Sequence, residues 1–453
     1  MTDWASLLVF LGLSLASYAA VIVPGATWTD TSGNVIQAHG GGILKVGDTF
    51  YWHGEDKAHN SGLFRAVSCY TSTDLVSWTR QNDALTPQSN TMISTSNIVE
   101  RPKVIFNKKN SEYVMWFHSD SSNYGAAMVG VATAKTPCGP YTYKGSWRPL
   151  GAESRDMVMA LSSRDTDDGT TYLLYASDNN QNFKISRMDD NYYNVTTQVN
   201  VLSGSTLESP GIIKRNGVYY LFASHTTGWD PNPNKYFKAN SLSGSWSSQA
   251  DIAPSATRTY FSQNTFNLPW GSNGIYMGDR WRPSLLGSSR YMWFPLSWDS
   301  GNPQIVPADV WSVNIGAGTY SVASGTTYEA ESGTISGSAR ILTDSAWSGG
   351  RGIGYLGNGG SLTINNVQGN GISGGQWVAL HYANGDSSWR NTTVSVNGGT
   401  SVLVDQPNTG SGHTVLSVPV KLNLRSGANS ITFSSGQSNY AADLDKIIVY
   451  TAT

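Results

Sequence analysis

Asn216-Gly217-Val218-Tyr219-Tyr220-Leu221-Phe222 joins a tight-turn dipeptide to an aromatic, β-prone run. Asn-Gly ahead of such a run signals a hairpin, because both turn residues tolerate positive φ. The pattern returns as Gly47-Asp48-Thr49-Phe50-Tyr51-Trp52-His53 and Asn110-Ser111-Glu112-Tyr113-Val114-Met115-Trp116-Phe117. Two further copies are Asp168-Gly169-Thr170-Thr171-Tyr172-Leu173-Leu174-Tyr175 and Asn273-Gly274-Ile275-Tyr276-Met277-Gly278. With Tyr51, Tyr113, Tyr172, Tyr220 and Tyr276 as markers, the spacings are 62, 59, 48 and 56 residues. Thr73-Asp74-Leu75-Val76-Ser77-Trp78 and Ser243-Gly244-Ser245-Trp246 read as outer-strand turns. No long helical period intervenes. Five units with room for about four strands each predict a five-bladed β-propeller. One large sandwich would leave the phased repeat unexplained.

Outward from the repeat, the 453 residues exceed one ordinary domain. Charged residues are 13% of the chain, 29 basic against 31 acidic, which excludes a polybasic nucleic-acid surface. Aromatic residues at 11% exclude disorder. Sixteen Trp suit stacking on sugar C–H faces or core filling. Leu7 to Ala16 is an apolar run too short to span a bilayer, and residues 1–20 read as a secretory leader, although no Lys or Arg precedes the run. Secretion, no membrane anchor and a monomer are the expectations. Cys69 and Cys138 can form one disulfide, and Asn194-Val195-Thr196 and Asn391-Thr392-Thr393 are glycosylation sequons. The propeller is expected over 21–315 and a linker over 316–326. The short alternating strands of 327–453 predict a jelly-roll sandwich.

In a propeller the innermost strand of each blade starts at the central channel. Those starts read Gln37-Ala38-His39-Gly40-Gly41, Val99-Glu100-Arg101-Pro102-Lys103, Ser154-Arg155-Asp156-Met157, Leu207-Glu208-Ser209-Pro210-Gly211 and Phe261-Ser262-Gln263-Asn264-Thr265. Three carboxylates at one phase are expected to form a functional set; singly, each is as readily an ion-pair partner of Arg101 or Arg155.

These segments resemble glycoside hydrolase family 43. The match rests on Ser154-Arg155-Asp156-Met157 with Asp167-Asp168-Gly169, and on Glu208-Ser209-Pro210 with Asn216-Gly217. With Gln37-Ala38-His39-Gly40-Gly41-Gly42 and Glu100-Arg101-Pro102-Lys103, the chain most resembles that family's fungal exo-β-1,3-galactanases. The resemblance implies an inverting hydrolase with a base in blade 1, an orienting Asp in blade 3 and an acid in blade 4. Glu208 takes the acid's place and Asp156 the orienting Asp's. The blade-1 Asp is missing. Glu100 is the first substitute for the base, Gln263 the second, through its imidic tautomer, and His39 the third. Gln37, His39, Tyr124, Thr226 and Trp229 are candidate substrate contacts, Trp281 a further wall, and His225 the nearest match to a channel histidine. The substrate expected is β-1,3-galactan. An arabinan- or xylan-active enzyme and a non-catalytic glycan-binding propeller are the alternatives.

In the C-terminal segment, Glu329 and Glu331 share one strand face and Asp445 lies near the chain's end. Together they would offer the hard oxygen ligands that Ca²⁺ selects. The Glu329-Ala330-Glu331 and Asp443-Leu444-Asp445 pairs resemble carbohydrate-binding module family 35. That resemblance makes Asp445 a structural calcium ligand and Asp443 a sugar contact; Tyr355, Trp389 and Tyr440 are loop aromatics suited to stacking.

Overall fold

The structure, a computed structural model, describes residues 20–161 and 170–451. Residues 1–19 of the expected leader, and Asp167-Asp168-Gly169, lie outside the described residues. Five four-stranded antiparallel sheets follow one another, each with its strands in chain order. Sheet I holds His39–Val46, Thr49–Glu55, Val67–Ser72 and Thr79–Leu85. Sheet II holds Asn97–Asn107, Glu112–Ser121, Met128–Ala134 and Thr142–Trp147. Sheet III holds Met157–Leu161, Thr171–Ser177, Asn182–Met188 and Val195–Leu202. Sheet IV holds Leu207–Arg215, Val218–His225, Lys235–Ala239 and Ala250–Asp251. Sheet V holds Gln263–Trp270, Asn273–Arg280, Arg290–Ser297 and Gln304–Ile305.

Every marker Tyr lies in a second strand. Asn216 and Gly217 both take positive φ, 49° and 80°, as a two-residue hairpin turn requires. In the fifth copy the turn is Gly271-Ser272, so Asn273-Gly274 already belongs to the strand. Both outer turns form as expected. Asp74 Oδ1 accepts from the amides of Val76 and Ser77, closing the turn over the buried Trp78.

The first strands of sheets I, II, III, IV and V pack against one another in that order, and the fifth packs against the first. The ring is completed near the chain's start, where Ile22 bridges Trp311. Trp28, Trp52, Tyr291 and Trp293 fill that seam, with edge-on and tilted ring contacts of 4.7–6.2 Å. Apolar burial at about 25 cal/mol per Å² makes such aromatic seams a principal source of stability. Cys69 and Cys138 are joined by a disulfide between sheets I and II. Among the described residues no helix is long and apolar enough to cross a membrane.

The segment 316–326 is not a free linker. Thr319–Val322 pairs with Trp311–Asn314, and Gly325–Glu329 pairs with Asp443–Tyr450. Beyond it, a six-stranded and a five-stranded antiparallel sheet enclose a separate core that includes Ile353, Leu380, Ile431, Phe433 and Ile447. This sandwich is docked. Asp309 accepts from His381 Nε2 at 2.8 Å, Ser417 Oγ at 2.5 Å and Tyr450 Oη at 2.9 Å. Burial opposes its charge, but these hydrogen bonds hold the Asp309 carboxyl below the usual range.

Candidate active site

Four of the five innermost strands, all but that of sheet III, break their ladder near the channel. Register shifts fall between His39 and Gly42, Glu100 and Lys103, Glu208 and Gly211, and Asn264 and Phe266. Gly40, Arg101 and Ser209 have φ of 61°, 54° and 53° within these bulges. A bulge bends the strand and re-aims the neighbouring side chain, and here it turns them toward the ring's centre.

One cavity of about 390 Å³ opens there, and Glu100, Asp156, Glu208 and Gln263 all line it. Tyr124, Trp229 and Trp281 form further walls. The common phase of the first strands thus brought the four proposed catalytic residues together. Asp156 Oδ2 pairs with Arg101 Nε at 3.1 Å and accepts from the amide and hydroxyl of Ser209 at 2.9 and 3.0 Å. Burial and the charge of Asp156, against the pull of Arg101, push the Glu208 carboxyl up to about 8. The Glu208 carboxyl is therefore in the acid form at neutral pH, as a general acid requires.

Gln263 is fixed in orientation. Its Oε1 accepts from Arg101 Nη2 at 2.7 Å and Trp281 Nε1 at 2.8 Å, neither of which can accept. Its Nε2 must therefore face the other way, donating to Glu208 Oε1 at 2.7 Å and Ser224 Oγ at 3.3 Å.

Glu100 is held as an anion. Burial opposes its charge, but the hydrogen bond from His118, the charges of Lys57 and His118, and the Tyr124 hydroxyl bring it down to about 2. Tyr124 Oη donates to Oε1 at 2.8 Å, and His118 Nδ1 stands 3.4 Å from Oε2. His118 Nε2 bonds Asp120 at 2.8 Å. Despite burial, these two carboxylates push the His118 ring up to about 9. Glu100, His118 and Asp156 put donor atoms within 4.8 Å of one another, a spacing that suits a cation. In its protonated form the His118 ring itself supplies positive charge between these acids.

Several expectations are corrected by position. His39 lies outside the cavity, fully buried; its Nδ1 bonds Asp279 at 3.0 Å and its ring stacks on Tyr291 at 4.8 Å. Gln37 is also behind the wall, donating to Gly287 O and accepting from the Lys57 amide. Thr226 is exposed and does not line the cavity. His225 belongs to a different surface pocket on sheet IV, bonded to Thr206 and Gln249, so the channel histidine is His118.

The residues missed are Glu55 and His118, together with Asn123, Asn179 and Asn180 from loops. Hairpin pairing explains the first two. His39 faces Glu55, Glu100 faces His118, and Gln263 faces Asp279. In sheets I and II the end of the second strand, four and five residues past the marker Tyr, thus reaches the channel beside the first strand's start. Glu55, paired with Lys57 at 2.8 Å, places a carboxylate of sheet I on the cavity, where the first strand has none.

In the sandwich, Glu329, Glu331 and Asp445 converge on one turn. Ser348 Oγ donates to Glu329 Oε1 and Ser348 N to Asp445 Oδ1, each at 2.8 Å. A Cβ at Gly349 would lie 2.9 Å from Glu331 Oε1. The Oε2 atoms of Glu329 and Glu331 are buried without a hydrogen-bond partner. Tyr355, 41% exposed, meets Tyr440 edge-on at 5.3 Å, and Asp443 sits directly behind Gly354. Trp389 is elsewhere. It packs on Phe261 at 5.8 Å under Arg282, which makes it part of the junction and not an open sugar platform.

Comparison with known proteins agrees with this geometry. The family model described as glycosyl hydrolases family 43 matches residues 38–267. A second model, alpha-galactosidase, CBM13 domain, matches 363–449. That replaces the expected family 35; of the two acidic motifs that suggested it, Glu329-Ala330-Glu331 lies outside the matched span and Asp443-Leu444-Asp445 inside it. No curated protein matches the chain. Among solved structures, the exo-β-1,3-galactanase of Phanerochaete chrysosporium with galactose is 74% identical, covering 95% of this chain and all of that one, at a TM-score of 0.93. The same enzyme with β-1,3-galactotriose aligns at 0.92. The exo-β-1,3-galactanase of Clostridium thermocellum is 29% identical, covering 95% of this chain and all of that one, at 0.63. From the cavity's acids, the matched span and these relatives, the chain belongs to glycosyl hydrolase family 43.

Proposed function

We propose that the protein is an exo-acting β-1,3-galactanase that hydrolyses galactan with inversion. Its five sheets are read as the blades of a five-bladed propeller over about 21–315, and the sandwich from 327 as a carbohydrate-binding module. The observation that carries the reading is the Glu208 carboxyl, protonated at neutral pH beside the ionised Glu100 in one cavity. Glu208 donates a proton to the departing oxygen, and Asp156 keeps the acid's pKa high and orients the group. Trp229 and Trp281, in edge contact at 5.0 Å, offer apolar surface to a galactose ring. Identity of 74% to an enzyme solved with β-1,3-galactotriose supports the choice of sugar.

The test is galactose release from β-1,3-galactan, with arabinan and xylan as controls, followed by NMR of the first product. α-Galactose is expected from the β-linkage. Retained β-configuration, or equal rates on arabinan or xylan, would reject the reading.

For the sandwich, the two orphaned carboxylate oxygens and Asp445 suit Ca²⁺, which takes hard oxygen ligands. Glu329, Glu331 and Asp445 would hold it, relieving their mutual repulsion and tying the two ends of the sandwich together. A ligand at 100 times its Kd stabilises by about 2.7 kcal/mol. Chelation is therefore expected to lower the sandwich's melting temperature, and Ca²⁺ to restore it. A melting curve unmoved by chelator, with no metal by elemental analysis, would remove the calcium. Tyr355, Tyr440 and Asp443 form the proposed sugar contact of this module. The Cys69–Cys138 disulfide supports secretion, since such bonds persist in oxidising compartments.

A further inference from the structure

The junction between sheet V and the sandwich encloses a second cleft of about 390 Å³. Arg280, Arg290, Lys421, Asp405, Trp377 and Trp389 are among its walls. Buried charges are ordinarily paired with an opposite charge. Arg280 is 2% exposed, yet its guanidinium donates to main-chain carbonyls, Tyr260 O at 2.9 Å and Phe261 O at 3.4 Å. Arg290 likewise donates to Ser288 O at 2.6 Å and Ser289 O at 3.3 Å. The carboxylate on the wall, Asp405, is already in an ion pair with Arg282. Lys421 lies 5.3 Å over the Trp377 ring. Burial pulls the guanidiniums of Arg280 and Arg290 below their ordinary value, and the attraction of Asp405 offsets this only in part for Arg290.

An anion in the cleft would offset the remainder. The volume lies in the range of small-ligand sites. The Trp377 indole on the same wall supplies apolar surface that a pyranose ring uses and a bare inorganic anion does not. We propose that this cleft is a second saccharide site that takes a carboxylate-bearing sugar, a uronic acid residue carried on a polysaccharide, with its carboxylate among Arg280, Arg290 and Lys421. The site is separate from the catalytic cavity and stands independently of the role given to Glu208.

The test is calorimetric titration of the full chain with glucuronic acid, galactose and inorganic phosphate as separate probes. Glucuronic acid is expected to bind more tightly than either of the others, without competition from galactose, and to weaken as NaCl is raised. Arg290→Gln and Lys421→Ala are each expected to weaken it at least fivefold while initial rates on unsubstituted β-1,3-galactan stay unchanged. Lys421 is exposed, so Lys421→Ala keeps the test alive if Arg290→Gln fails to fold. Phosphate binding as tightly as glucuronic acid would reduce the cleft to a general anion site and overturn the proposal. So would glucuronic acid binding no better than galactose, or binding untouched in both variants.

Discussion

Glu208→Gln is expected to lower kcat on unsubstituted β-1,3-galactan by about 10²–10⁴-fold with the fold intact, the range that general acid catalysis supplies. The side chain keeps its shape and its place against Gln263 and loses only the proton. The loss is expected to be much smaller on an aryl galactoside, whose leaving group departs without protonation. The pH profile carries a second signature. The Glu208 carboxyl, raised to about 8, is in its acid form below that pH. Wild-type activity is therefore expected to fall as pH rises through about 8, and the variant's residual activity to lack that basic limb. Circular dichroism checks the fold, and steady-state rates across pH check the role. Near-normal turnover on galactan would sink the assignment.

Gln263→Ala is expected to cost at least 10²-fold in kcat, and Glu100→Gln to act mainly on KM. The base is the part of the mechanism that the missing blade-1 Asp leaves open, and the hydrogen bonds now separate its two leading candidates. A base works best with a pKa near the operating pH. Glu100, held at about 2 with Tyr124 and His118 on its two oxygens, is a weak base and a strong anchor for hydroxyl groups. Gln263 has Arg101 and Trp281 on its oxygen, and both donors stabilise the negative charge that oxygen gains as the nitrogen gives up a proton and the amide becomes an imidate. Its nitrogen stands 2.7 Å from Glu208, the group that must be reprotonated after each turnover. We propose a relay in which water gives a proton to that nitrogen as the nitrogen's own proton passes to Glu208. Gln263→Glu is then expected to be as inactive as Gln263→Ala, because a second carboxyl against Glu208 makes the pair share one proton. An acidic limb in kcat/KM that disappears in Glu100→Gln, together with most of kcat, would return the base to Glu100.

The hairpin repeat was legible because each copy combines turn residues with β-prone aromatics, and both act locally. Asn216-Gly217 shows this directly, since its two positive φ values are preferences of those residue types. The phase of Glu100, Glu208 and Gln263 was legible for the same reason: each stands 12 or 13 residues before its marker Tyr, and Asp156 stands 16 before its own. His118 and Glu55 were not read, because they reach the channel at the far end of the second strand. Pairing across the hairpin, and not distance along the first strand, puts them beside Glu100 and His39. Trp389 shows the opposite failure. As a sequence it is a loop aromatic like Tyr355; in three dimensions Phe261 and Arg282, more than a hundred residues away, cover it.

The sequence by itself thus determined the all-β character, the fivefold phase and three of the acids that meet at the ring's centre, Glu100, Asp156 and Glu208. The tertiary structure decided what those acids are. The pKa of Glu208 depends on burial and on Asp156, and that of Glu100 on His118, Lys57 and Tyr124, partners from other strands and sheets. Periodicity places a side chain on a face, but its charge state is set by the dielectric and the ions that packing gathers around it.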